Sequence, residues 1–207
     1  LREQLNSFTA QKRLPDELVV CDDGSSDATI DILQDFAVSA PFTMRVVRNE
    51  ENVGFVRNFE KAISLCSGDV IFLSDQDDVW LPEKLGRIES EFVADPLLLG
   101  TINDMIITDG ELRHNGITQL GNIRTGGYDE RRFIAGCGMA LRKSALDILI
   151  PFPKEKFAHD RWICDILVAM NARKLVDEPL QLYRRHGSNE SQWIYSDPNG
   201  VNAFRVL

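Results

Sequence analysis

Residues 71–80 read Ile71-Phe72-Leu73-Ser74-Asp75-Gln76-Asp77-Asp78-Val79-Trp80. The first three are apolar and suit a buried strand. Asp75, Asp77 and Asp78 follow at once, and Val79 and Trp80 return to apolar. A strand that runs straight into three carboxylates puts charge at the mouth of a core. Crowded carboxylates repel, so they call for a cation or raise one another's pKa. Oxygen ligands with room for water suit Mg²⁺ or Mn²⁺, and a metal held by one or two carboxylates completes its shell with substrate phosphates. A calcium-binding EF-hand loop fits badly: counting from Asp75, the glycine position holds Trp80 and the closing glutamate position holds Gly86. A merely solvated loop remains the plain alternative, set against the apolar residues on both sides.

Working outward, Pro82 suits a first helical turn, and Leu85, Ile88 and Phe92 recur at helical spacing. Upstream, Glu17–Cys21 and Met44–Arg48 predict strands. Ile30, Leu33 and Phe36 predict a helix between them. Phe55, Phe59, Ala62, Ile63 and Cys66 line a face of the next helix. Downstream, Thr101–Thr108 predicts a strand and Ser144–Leu149 a short helix. A helix follows Asp160, two short strands cover Leu175-Val176 and Leu180–Tyr183, and the tail from Gly187 reads as loop. Residues 110–130 are polar, without a clear period, and read as a mobile loop. Strands alternating with helices predict an α/β fold with a mostly parallel central sheet flanked by helices, in one domain over 1–207.

The chain has 207 residues, 43% apolar and 27% charged, with a net charge of -9. That acidity argues against nucleic acid as a partner, because phosphate neutralisation needs clustered Lys and Arg. No apolar run reaches the roughly 20 residues of a membrane helix. Cys21, Cys66, Cys137 and Cys164 form no CxxC pair and read as reduced thiols of a cytoplasmic protein. The opening Leu1, Leu5 and Phe8 stripe reads as the middle of a helix, so the chain is expected to be a fragment.

A second acidic pair, Asp22-Asp23, follows the strand Glu17–Cys21. Ligands of such sheets bind beyond the carboxyl ends of strands, where both acidic groups fall. Asp22-Asp23-Gly24-Ser25-Ser26-Asp27 also reads as a turn with a helix cap. A phospho-receiver signalling domain shares two acids after its first strand, but it is shorter and carries fewer acids at the second position.

Four stretches together resemble a bacterial family 2 glycosyltransferase of the GT-A fold, in a rhamnosyltransferase-like subgroup. They are ELVVCDDGSSDAT (17–29), NVGFVRNFEKA (52–62), GDVIFLSDQDDVWLPEKL (68–85) and LYRRHGSN (182–189), in that order. The resemblance spans about residues 1–190 and implies that the first strand of the fold is missing. It implies nucleotide binding by Asp22, Asp23, Arg57, Asn58 and Asp75, and a metal, Mn²⁺ or Mg²⁺, on Asp77, Asp75 and His186. Asp78 is adjacent to these. Gly136, Cys137 and Gly138 would shape the donor and acceptor loop, and Asp160 would be the catalytic base. His159 stands where the family usually has glutamate. The implied reaction moves one sugar, with inversion, from a UDP- or dTDP-sugar to a hydroxyl. The acceptor would be a saccharide or lipid-linked one in cell-surface polysaccharide synthesis, with possible peripheral association at the inner membrane face. The processive QxxRW signature is absent, which favours single transfer. Sugar-1-phosphate nucleotidyltransferases also use strand-end acids with a divalent metal and stay open as an alternative.

Overall fold

The computed structural model describes residues 1–153 and 158–186, apart from the side chain of residue 132. The tail read as loop from Gly187 onward lies outside them. The elements run α1 (Arg2–Thr9), β1 (Glu17–Asp22), α2 (Thr29–Ser39), β2 (Thr43–Arg48), α3 (Phe55–Leu65), β3 (Val70–Phe72) and β4 (Val79–Trp80). They continue as α4 (Lys84–Ala94), β5 (Gly100–Thr108), α5 (Gln119–Thr125), β6 (Met139–Arg142), α6 (Leu146–Leu149), α7 (His159–Ala169) and β7 (Arg173–Arg184).

The α/β class holds, but the strand directions need correction. β1 and β2 pair in parallel, from Glu17 opposite Thr43 to Asp22 opposite Arg48. The other five strands form a sheet in the order β3-β6-β5-β7-β4. There β5 and β7 are parallel, while β3–β6, β6–β5 and β7–β4 are antiparallel. Alternation along the first hundred residues reports parallel neighbours only if nothing is inserted later. β6 arrives from the second half and lies between β3 and β5. The two strands foreseen at Leu175-Val176 and Leu180–Tyr183 are one, with the register against β5 shifting between Asn103 and Ile106.

Helix α4 shows why the acidic loop is held firmly. Its Leu85, Ile88 and Phe92 are buried, as their spacing requires. Ile88 and Phe92 pack with Leu98, Ala140, Val176 and Leu180, while Leu85 joins Leu5, Phe8, Leu33 and Trp80. Phe8 meets Trp80 edge-on at 4.6 Å. The loop therefore sits between two apolar clusters. The stretch 110–130 holds helix α5, capped by the Thr118 hydroxyl accepting from the Gly121 N–H at 3.0 Å. Two apolar anchors, the buried Leu120 and Ile123, hold it on the core; seven residues are too few to display a period.

Among the described residues β1 pairs only with β2, and β3 only with β6. Between them lies a cleft of about 400 Å³, lined by Leu18 and Val20 of β1, Ile71 of β3, Phe59 and Ile63 of α3, and Leu5 of α1. Close-packed interiors leave few voids above the size of a water. Among the described residues no helix is long and apolar enough to cross a membrane.

Candidate active site

Strand β3 ends at Phe72 and releases Ser74–Asp78 as a loop before β4. The side chain of Gln4 on α1 donates to Ser74 Oγ at 2.8 Å and to the carbonyl of Asp75. Asp78, fully buried, accepts from the Gln181 side chain at 3.1 Å and from the Arg184 backbone N–H at 3.0 Å. Asp77 Oδ2 lies 2.8 Å from His186 Nε2, and the Asp77 carbonyl accepts from Arg184 Nε at 2.8 Å. The structure thus brings Asp77 and His186 together across 109 residues.

Asp75, Asp78 and Cys137 offer ligand atoms that all lie within 4.8 Å of one another. Burial pushes the Asp75 carboxyl up to about 7, with the charges of Asp78, Asp77 and Asp160 adding to the shift. Burial likewise raises Asp78 to about 6, against the Arg184 N–H that favours its anion. Cys137 is raised well above an ordinary thiol, first by burial and then by Asp78 and Asp75. Carboxyls in this state gain from a divalent cation. The two carboxylates suit a hard metal such as Mg²⁺ or Mn²⁺, the Cys137 thiol does not, and Asp77 with its partner His186 falls outside this group.

Gly136–Gly138 form a single 3-10 turn just before β6. A Cβ on Gly138 would stand 2.9 Å from Met105 Cε and 3.1 Å from the Asn103 carbonyl; one on Gly136 would stand 3.1 Å from His159 Nε2 and 3.3 Å from Asp160 Cβ. A side chain at Gly136 would require His159 and Asp160 to give by a few tenths of an ångström, so glycine suits the close approach of the turn to the start of α7. Asp160, the second residue of α7, accepts from its neighbour Arg161 N–H at 2.7 Å. His159 is buried and stacks on Phe59 at 4.1 Å. Burial lowers its pKa, and neither ring nitrogen has a hydrogen-bond partner among the described residues.

Of the first acidic pair, Asp22 serves its own loop and Asp23 braces the turn that leads into α3. Asp22 accepts from the Gly24 and Ser25 N–H groups at 3.3 and 3.2 Å and lies 3.5 Å from Arg48. Asp23 accepts from Val53 and Gly54 N–H, both at 2.9 Å, and from the Asn49 amide at 2.8 Å. Burial raises Asp23, but the Val53, Asn49 and Gly54 bonds outweigh it and hold the carboxyl below its ordinary value. Its contribution is therefore present at neutral pH and fades as the solution is acidified through that lowered value. Asp23→Ala is expected to cost about 1–2 kcal/mol at pH 7, read as a lower urea midpoint, since bonds to a charged acceptor are lost. Asn58 joins this loop, donating to the Cys21 carbonyl at 2.8 Å and accepting from Asn49 at 2.9 Å. Arg57 faces another way: it donates to Glu60 at 2.5 Å and to the Phe152 carbonyl at 3.0 Å, and Glu60 accepts from the Phe152 N–H at 2.7 Å. Arg57 thereby ties α3 to the segment ahead of α7.

Several contributors to the site were not foreseen from the sequence. Gln4, Gln181 and Arg184 hold the acidic loop, and Lys84 lies fully buried beneath it. Burial lowers the Lys84 pKa to about 8, although Cys137, Asp78 and Asp75 act to raise it. A lysine opening an amphipathic helix reads as a solvated residue; only the density of acids just upstream hinted otherwise.

With its mixed sheet and acids gathered at strand ends, the chain superposes on solved glycosyltransferases of the GT-A fold. TarS residues 1–349 of S. aureus, in complex with UDP, has a TM-score of 0.69 at 22% identity, covering 89% of this chain and 56% of that one. A mannosyltransferase of Pyrobaculum calidifontis, in complex with GDP-Man and Mn²⁺, has a TM-score of 0.67 at 18% identity, over 88% and 52%. The profile described as Glycosyl transferase family 2 matches residues 1–149, and the chain belongs to that family. An uncharacterised glycosyltransferase of Nostoc sp. is 28% identical over 207 residues, 91% of this chain and 62% of the relative. The dTDP-rhamnosyl transferase RfbG of Shigella flexneri is 25% identical over 209 residues, covering 92% of this chain and 70% of its own length. Family membership favours neither the nucleotidyltransferase nor the receiver alternative.

Proposed function

We propose that this chain, as one domain, transfers a single sugar from a nucleoside-diphosphate-sugar to a hydroxyl of a saccharide or lipid-linked acceptor, with inversion. The observation that carries this reading is the convergence of Asp75, Asp77 and Asp78 with His186, the glycine turn and Asp160, whose charge reaches Asp75. Asp77, Asp75 and His186 would hold Mg²⁺ or Mn²⁺. Such a metal, when bound, neutralises charge that develops on a diphosphate leaving group. Asp75, Asp22, Asp23, Asn58 and Arg57 are assigned to the nucleotide side, with Asp22 and Asp23 acting through the loop they brace. Gly136, Cys137, Gly138 and His159 are assigned to the donor and acceptor side. Asp160 takes the proton of the attacking hydroxyl. With Asp160 as the one base, direct displacement is the reaction proposed.

RfbG and its dTDP-rhamnosyl name support a deoxyhexose on dTDP; TarS and its UDP support a UDP-sugar. Both suit cell-surface polysaccharide synthesis from the cytoplasmic side, at the inner membrane face. Calorimetric titration of the full chain with UDP, dTDP and GDP tests the reading, first with Mn²⁺ and then with excess EDTA. Binding of one nucleotide, lost in EDTA, is the expected result. Equal binding in EDTA would remove the metal from the scheme, and no binding at all would sink the donor assignment.

A further inference from the structure

Lys84 is the first residue of α4, and its side chain is entirely shielded from solvent. An ammonium removed from water must replace its hydration with protein acceptors. Its Nζ donates to the Cys137 carbonyl at 3.1 Å and to Gln181 Oε1, and stands 4.3 Å above the Trp80 ring. The amide nitrogen of that same Gln181 donates to Asp78 Oδ2 at 3.1 Å. One cation therefore connects α4, β4, β7, the acidic loop and the glycine turn. None of those links is to solvent.

The Cys137 carbonyl is the decisive contact. It fixes the direction of a peptide in the middle of Gly136–Gly138, a turn that lies against His159 and Asp160 on one side and Asn103 and Met105 on the other. With the carbonyl drawn toward Lys84, the Cys137 thiol stays within 4.8 Å of Asp75 and Asp78. An apolar residue at position 84 could pack on Trp80 but could not hold that carbonyl or Gln181.

We infer that Lys84 is a positioning residue that fastens the Gly136–Gly138 turn to the acidic loop, setting the distance between the Asp75 cluster and Asp160. The inference rests on the glycosyltransferase reading only for what the turn is there to bind. Lys84 itself touches no substrate.

Native-state thiol labelling tests this without a known substrate. Cys137 and Cys164 are both buried, the first in the turn and the second on α7 in the main core. In Lys84→Met, mapped by mass spectrometry after maleimide treatment, Cys137 is expected to label at least about tenfold faster while Cys164 keeps its wild-type rate, the pattern of local opening. An unchanged Cys137 rate overturns the proposal. So does parallel acceleration of both thiols, which reports general loosening. If Lys84→Met does not fold, Gln181→Met removes the shared link and is read by the same two rates. Failure of wild type to bind nucleotide with Mn²⁺ would count against the glycosyltransferase reading alone, leaving the labelling result to stand or fall separately.

Discussion

Asp160→Asn is expected to lower kcat by about a thousandfold while leaving the Mn²⁺-dependent nucleotide Kd within about threefold of wild type. The carboxylate sits at the start of α7, closely packed against the Gly136–Gly138 turn. It is near enough to the acidic loop for its charge to raise Asp75. That placement suits proton removal from a hydroxyl and not retention of the diphosphate. Asparagine keeps size and the bond from the Arg161 N–H but cannot accept a proton at neutral pH. Product formation with the nucleotide-sugar identified by calorimetry gives kcat, and the same calorimetry gives Kd. Equal losses in both would place Asp160 in nucleotide binding.

The second large effect is on stability and has the opposite sign to most active-site losses. Burial, followed by Asp78, Asp77 and Asp160, raises the Asp75 carboxyl to about 7. Between the ordinary carboxylate range and 7 the folded chain binds a proton that the unfolded chain releases. Metal-free stability therefore falls as pH rises through that window. Asp75→Asn removes this cost. In EDTA at pH 8 the variant is expected to be more stable by about 2–4 kcal/mol, with the gain gone near pH 4. Urea unfolding at the two pH values measures it. The same variant should lose the rise in melting temperature that Mn²⁺ with nucleotide gives wild type. A variant less stable than wild type at pH 8 would mean that Asp75 is satisfied without a cation.

The acidic loop was legible because its two flanks follow different rules. A short apolar run closes in Phe72, and Leu85, Ile88 and Phe92 reopen at helical spacing. His186, named only through a family resemblance, does meet Asp77 of that loop. What stayed hidden depends on partners far along the chain. Insertion of β6 between β3 and β5 leaves no trace in local periodicity. Asp78 looked like a spare third acid, and its burial comes from Gln181 and Arg184, more than a hundred residues away. The Arg57 contacts to Glu60 and Phe152 were likewise hidden, because a helix surface residue chooses among neighbours that the sequence does not order.

The cleft between β1 and β3 bears on how this stretch of chain behaves in company. Each strand presents one row of backbone N–H and C=O groups without a ladder partner among the described residues, and the walls between them are apolar. Facing edges of this kind are adhesive. An extended segment with alternating apolar side chains suits such an edge, so a second copy of the chain that presents one would pair here.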